Sequence, residues 1–226
     1  MFEKLFLWGI GYLAMKGIKD GVRLPLSMRS LSSEYIQFLK NAECGFPGVP
    51  QTERYYDSLG VATIGYGFTV TVFSSLGMGN SVPEYMSVDE ANFIFDKFLS
   101  IVKQDMIAYG WGDFPFTQRE YEAFFDLWYN TSHKQTWDFY LILKSDSPQK
   151  YDVAFRKYDY SNGGLLGLVR RRMAVLFALY RGAYVQDCYA IPANSVLDMR
   201  QNYLNGGDFL SDFANLNLPY IGNGFF

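Results

Sequence analysis

A chain of 226 residues can bury one sizeable core, as a two-lobed domain or as a domain with terminal extensions, and no second domain is needed. Its formal net charge of -3 and isoelectric point near 5.2 lack the basic footprint of a nucleic-acid binder, so nucleic acid is excluded as a partner. A lone histidine, His133, and two cysteines without ligand spacing, Cys44 and Cys188, give no basis for a metal site, a cofactor or a Ser-His-Asp triad, while a single disulfide stays open.

In chain order, the apolar stretch 5–18, broken by Lys16, is too short for a membrane span and carries no net basic start or small-x-small cleavage site. It reads first as a segment that docks on a partner or on the domain's own surface, and second as a signal-anchor, so membrane association is the less favoured option. Residues 33–41 predict a short helix with Tyr35, Ile36 and Leu39 on one face, which places Glu43 at its end. Cys44 beside it reads as a small buried thiol, because no Cys-His framework exists to activate it. A glycine-punctuated hairpin follows, with Asp57 and Thr63 flanking the turn Ser58-Leu59-Gly60.

Ser87-Val88-Asp89-Glu90 is a capping box that opens a helix to about Met106, with Ala91, Ile94, Phe98, Leu99 and Val102 at helical spacing. A second capping box, Thr117-Gln118-Arg119-Glu120, opens a helix whose Tyr121, Phe124, Phe125 and Trp128 are core material rather than sugar-binding faces. After a turn at 161–164, residues 165–180 form a helix that points Arg170, Arg171 and Arg172 in three directions, either as a solvated face or with one arginine in a functional role. The tail adds a helix from Val196 to Leu204 and an aromatic end, Phe225-Phe226, suited to a protein contact.

The chemistry lies around the hairpin. Glycoside hydrolysis usually needs one carboxylic acid to protonate the leaving oxygen and a second carboxylate on the opposite face of the sugar, and Glu43 and Asp57 are suited to divide that work. Glu53 is a weaker candidate acid, only four positions before Asp57 on the same approach to the hairpin. Taken singly, Glu43 also reads as a helix-end charge, Asp57 as a turn acid and Thr63 as a strand residue.

Taken together, Glu43, Tyr56-Asp57, Gly60-Val61-Ala62-Thr63-Ile64-Gly65-Tyr66-Gly67, the block from Phe116 to Asn130 and Gly167-Leu168-Val169-Arg170-Arg171-Arg172 resemble the phage-type lysozymes of glycoside hydrolase family 24. The resemblance spans roughly residues 31–185. Three departures stand out: thirteen residues between Glu43 and Asp57, which makes 46–51 an inserted loop; Phe68 where the family has His; and Val175 where it has an acid. The last two read as lost structural pairs rather than lost catalysis.

The resemblance implies a predominantly helical α+β fold, with a small β-hairpin lobe and a helical lobe joined by a long helix. The expected division is an N-terminal extension 1–30, a catalytic domain 31–185 and a C-terminal extension 186–226, with the extensions free to hold a virion or other protein partner. It further implies cleavage of the β-1,4 bond between N-acetylmuramic acid and N-acetylglucosamine in peptidoglycan by a phage endolysin or virion-associated lysozyme acting on the host wall. Glu43 would be the general acid, Asp57 the carboxylate that stabilises the oxocarbenium-like transition state, Thr63 the residue that holds the attacking water, and Arg171 the partner that orients Glu43. The alternative is a lysozyme-fold virion or wall-binding protein that no longer cleaves.

Overall fold

The computed structural model describes residues 22–57, 59–131, 166–205 and 207–221. The apolar stretch 5–18, His133, the turn at 161–164 and the closing residues Phe225-Phe226 lie outside the described residues.

Helix α1 (Ser33–Cys44) starts where the Ser32 hydroxyl accepts the Tyr35 N–H at 3.2 Å. Tyr35, Phe38, Leu39 and Ala42 form its buried stripe at the i, i+3, i+4, i+7 spacing of an amphipathic helix. The helix runs three residues beyond the expected end at Asn41, so Glu43 belongs to its last turn rather than to the segment after it.

Strands β2 (Gln51–Tyr56) and β3 (Ala62–Gly65) form an antiparallel hairpin in the register Tyr56↔Ala62 and Tyr55↔Thr63, with an irregularity between Gln51 and Tyr55. Residues 84–86 line the other edge of β2: Arg54 N–H donates to the Glu84 carbonyl and Met86 N–H to the Thr52 carbonyl, both at 2.9 Å. The short helix α2 (Val70–Ser75) leads into this edge.

Helix α3 (Val88–Met106) begins with the expected capping box at Ser87 and Glu90. Its 19 residues cover about 28 Å, enough to join the hairpin lobe to the helical lobe. Asn92 of α3 accepts from Lys40 of α1 at 2.7 Å and from the Tyr66 hydroxyl at 2.9 Å, which ties both elements to the connecting helix.

The helical lobe holds α4 (Gln118–Asn130), opened by the second capping box, and α5 (Leu166–Arg181). Tyr121, Phe124, Phe125 and Trp128 are fully buried, as core packing requires. Helix α5 is buried at Val169 and at every position from Arg171 to Leu179, the signature of a helix packed on all sides. That overturns the solvated-face option for the arginine run: the side chain of Arg171 is 4% exposed and that of Arg172 2%. Buried guanidinium groups need acceptors, and each of the three arginines finds one.

The N-terminal strand β1 (Leu24–Pro25) pairs with β4 (Pro115–Phe116) in front of α4. At the other end, α6 (Ala193–Leu204) and α7 (Phe209–Ala214) pack beside α5. Ile191, Val196, Phe209 and Phe213, all past residue 185, belong to the same core as α4 and α5. Among the described residues no helix is long and apolar enough to cross a membrane.

Candidate active site

The end of α1 meets the hairpin at its glycine turn. Cys44 donates from Sγ to the Gly65 carbonyl at 3.3 Å, and a Cβ on Gly67 would stand 3.2 Å from Glu43 Oε2. Gly67 has φ +80°, so its missing side chain supplies both the backbone conformation and the space above it for the carboxylate. Gly67→Ala is expected to cost about 1–2 kcal/mol from the left-handed backbone. If Glu43 has the role the sequence resemblance implies, activity on peptidoglycan should fall further than the stability loss accounts for, a difference that melting and activity measured side by side would resolve.

The neighbouring turn explains Phe68. Ile64 and Phe68 exchange backbone hydrogen bonds at 3.0 and 2.8 Å, and the Phe68 ring lies fully buried under Gly65, edge-on to Tyr66 and Phe73. Val175 is likewise buried in the apolar core. Both departures from the family pattern are filled by apolar packing.

On the opposite side, Glu43 Oε1 accepts Arg171 Nη1 at 2.6 Å, which joins α1 to α5 across the chain. Arg171 is held from its other edge by the fully buried Asp126 of α4: Nε and Nη2 donate to Oδ1 at 3.0 and 2.9 Å. Arg172 Nη1 donates to Asp126 Oδ2, and the Tyr35 hydroxyl reaches Oδ1 at 3.4 Å. With its amide oxygen turned to the guanidinium, Asn130 accepts from Nη1 at 2.7 Å and from Nη2 at 3.1 Å. Burial works against the Arg171 charge, but Asp126 and Glu43 outweigh it and hold the group well above the ordinary arginine value. The Glu43 side chain keeps 18% of its surface exposed, so the acid is both anchored and reachable.

The Cys44 thiol is pushed up to about 12 by burial and then by the Glu43 charge, and both cysteines are free. Neither disulfide nor thiolate nucleophile is formed by this pair.

Asp57 sits at the hairpin tip, where Oδ1 accepts the Leu59 and Val61 N–H groups, both at 2.8 Å. This carboxylate builds its own loop. Thr63, 4% exposed, donates from Oγ1 to the Val61 carbonyl at 2.9 Å and retains its lone pairs as acceptors. Tyr55, directly opposite Thr63 in the ladder, shares its face of the sheet. Its phenol is pushed up by burial, then by Cys44, Asp57 and Glu43.

Of the residues named from the sequence, Glu43 and Arg171 are in contact, and Asp57 and Thr63 lie on the adjoining hairpin; Asp126 and Asn130, which hold Arg171, were not named. Asp126 stands four residues after Glu122 on α4, a spacing that reads as a solvated stripe. The available signal was the apolar run Phe124, Phe125, Leu127 and Trp128 around it, which buries that side of the helix and obliges the carboxylate to find a cation. Among the described residues no group of three or more His, Cys, Asp or Glu is placed to hold a metal ion.

A helical lobe and a β-hairpin lobe joined by one long helix, with an arginine-held glutamate where they meet, define a lysozyme-like α+β protein. A family model, phage lysozyme, matches residues 46–174, more than half of the chain, and the protein belongs to that family. The match includes Asp57, Thr63, Asp126 and Arg171, and begins three residues after Glu43. No curated protein and no solved structure matches the chain. The family is one of glycoside hydrolases that act on peptidoglycan.

Proposed function

We propose that this protein is a muramidase that hydrolyses the β-1,4 bond between N-acetylmuramic acid and N-acetylglucosamine, with inversion, as a phage endolysin or virion-associated lysozyme acting on the host wall. The observation that carries the reading is the placement of Glu43, whose Oε1 is held by Arg171 while Oε2 lies over Gly67 of the hairpin that bears Asp57 and Thr63. Oε2 is the oxygen that faces the sugar and delivers the proton to the glycosidic oxygen. As the bond lengthens, positive charge develops on the sugar ring, and Asp57 stabilises it from the hairpin. Thr63 accepts a hydrogen bond from the water that attacks the opposite face, and Asp57 helps to place it. Incubation of the purified protein with peptidoglycan, followed by analysis of the anomeric configuration of the first products, tests bond and stereochemistry together. Intact glycan after prolonged incubation would refute the reading.

Asp57→Asn separates charge from structure. The amide oxygen can still accept from Leu59 and Val61, so the hairpin and the melting temperature should be retained while turnover falls by about 10²–10³-fold. Equal losses of activity and thermal stability would reduce Asp57 to a turn residue.

The rival reading is a lysozyme-fold protein that binds the wall or a virion partner without cleaving it. It is favoured by the inserted loop 46–51, which presents Phe46 and Val49 with more than half of each side chain exposed. Peptidoglycan pull-down without release of new reducing ends would select it, and co-purification with phage particles would distinguish a virion protein from an endolysin.

A further inference from the structure

We infer that Asp126 is a positioning residue for the acid: its grip on Arg171 limits Glu43 to a single arginine contact and offsets the positive charge behind it. This rests on the assignment of Glu43 as general acid. Left to themselves, an arginine and a carboxylate form a bidentate fork, two parallel N–H···O bonds that favour the ionised acid. Here the Nε and Nη2 side of Arg171 is taken by Asp126 Oδ1, and Asn130 occupies the edge between Nη1 and Nη2. Glu43 receives Nη1 through Oε1 alone. Its other oxygen stays over Gly67 and free of the guanidinium, available to carry a proton toward the substrate.

Charge leads to the same assignment. Arg171 and Arg172 bring two buried positive charges to this junction, and Asp126, itself fully buried, cancels one of them. Without it both would favour ionised Glu43, the form that cannot donate. Two further carboxylates lie near the pair, Asp57 across Tyr55 on the hairpin and Asp187 beside Tyr189 and Cys188, and both variants leave them in place; the tyrosines and cysteines that face the pair are neutral in the working range. Around Glu43 these are Cys44 on its own helix, Tyr55 of β2, Tyr129 of α4 and Tyr189 beyond α5, all pushed up chiefly by burial. Around Asp126 they are Tyr35, Tyr129, Tyr184 and Cys188, raised for the same reason. Of the two other buried carboxylates of α4, Glu122 is engaged by the Tyr184 hydroxyl at 2.7 Å and the Ser32 N–H at 2.8 Å, and Glu120 by Arg23 at 2.8 Å and the Thr117 N–H at 2.9 Å.

Two substitutions should move the pH–rate profile in opposite directions. Asp126→Asn keeps Oδ1 as an acceptor for Arg171 but removes the charge, so the high-pH limb of kcat/KM on peptidoglycan should shift down by about one pH unit. Arg172→Gln removes a positive charge and keeps Asp126, so the same limb should shift up. The second variant decides the matter if the first does not fold. A merely structural role would lower activity in both without displacing the limb, and limbs that coincide with wild type would overturn the inference. Glu43→Gln assayed beside them keeps the two readings distinct: persistent turnover removes the acid assignment and this inference with it, whereas an inactive Glu43→Gln with unmoved limbs removes only the role of Asp126.

Discussion

Glu43→Gln is expected to lose about 10²–10⁴-fold in wall cleavage, the usual contribution of a positioned general acid, while its melting temperature stays close to wild type. The stability expectation follows from the contact itself. A glutamine oxygen can still accept Arg171 Nη1, so α1 and α5 remain joined and only the transferable proton disappears. Release of reducing ends from purified peptidoglycan measures the loss, and thermal unfolding of the same sample measures the fold. Turnover close to wild type would move the acid role elsewhere, with Glu53 next in line. That residue is exposed on β2 and bridges Tyr85, on the strand edge away from β3. Its position makes it poorly suited to work across a sugar from Asp57.

The parts of this molecule that were legible in the sequence are those whose physics is local. Both capping boxes could be read because a hydroxyl and a glutamate three residues apart satisfy each other without help from the rest of the chain, and both are present. The hairpin was readable for the same reason, since Asp57 and Gly60 build its turn. Arg171 was legible only through the ordered family pattern. Its three-arginine context suggests a surface, and its burial is imposed by Asp126 and Glu43, neighbours supplied by α4 and α1. Asp126 was hidden because its meaning depends on helix α5, 45 residues later in the chain. The extension of α1 through Cys44 was missed for a comparable reason: its last turn is supported by the Gly65 carbonyl on the hairpin and by Tyr189, whose hydroxyl donates to the Ala42 carbonyl at 2.7 Å.

That last contact bears on the largest expected change in stability, removal of everything after residue 185. The segment buries Cys188, Ile191, Val196, Met199, Tyr203, Phe209 and Phe213 against the helical lobe. Phe177 of α5 stacks on Phe213 at 4.4 Å and on Tyr220 at 5.8 Å, and Ile221 N–H donates to the Tyr184 carbonyl at 2.8 Å. Removing the segment would open to water the face of α5 that these side chains cover, Phe177 included, in a fold held by a margin of only about 5–15 kcal/mol. A protein ending at residue 185 should therefore show no cooperative thermal transition and no wall cleavage. The loss would also reach the acid directly, because Tyr189 holds α1 one residue before Glu43 and Asn41 donates from Nδ2 to the Gln186 carbonyl. A truncated protein that melts cooperatively and still releases reducing ends would show the opposite: residues 186–226 are then an extension, free to bind a partner.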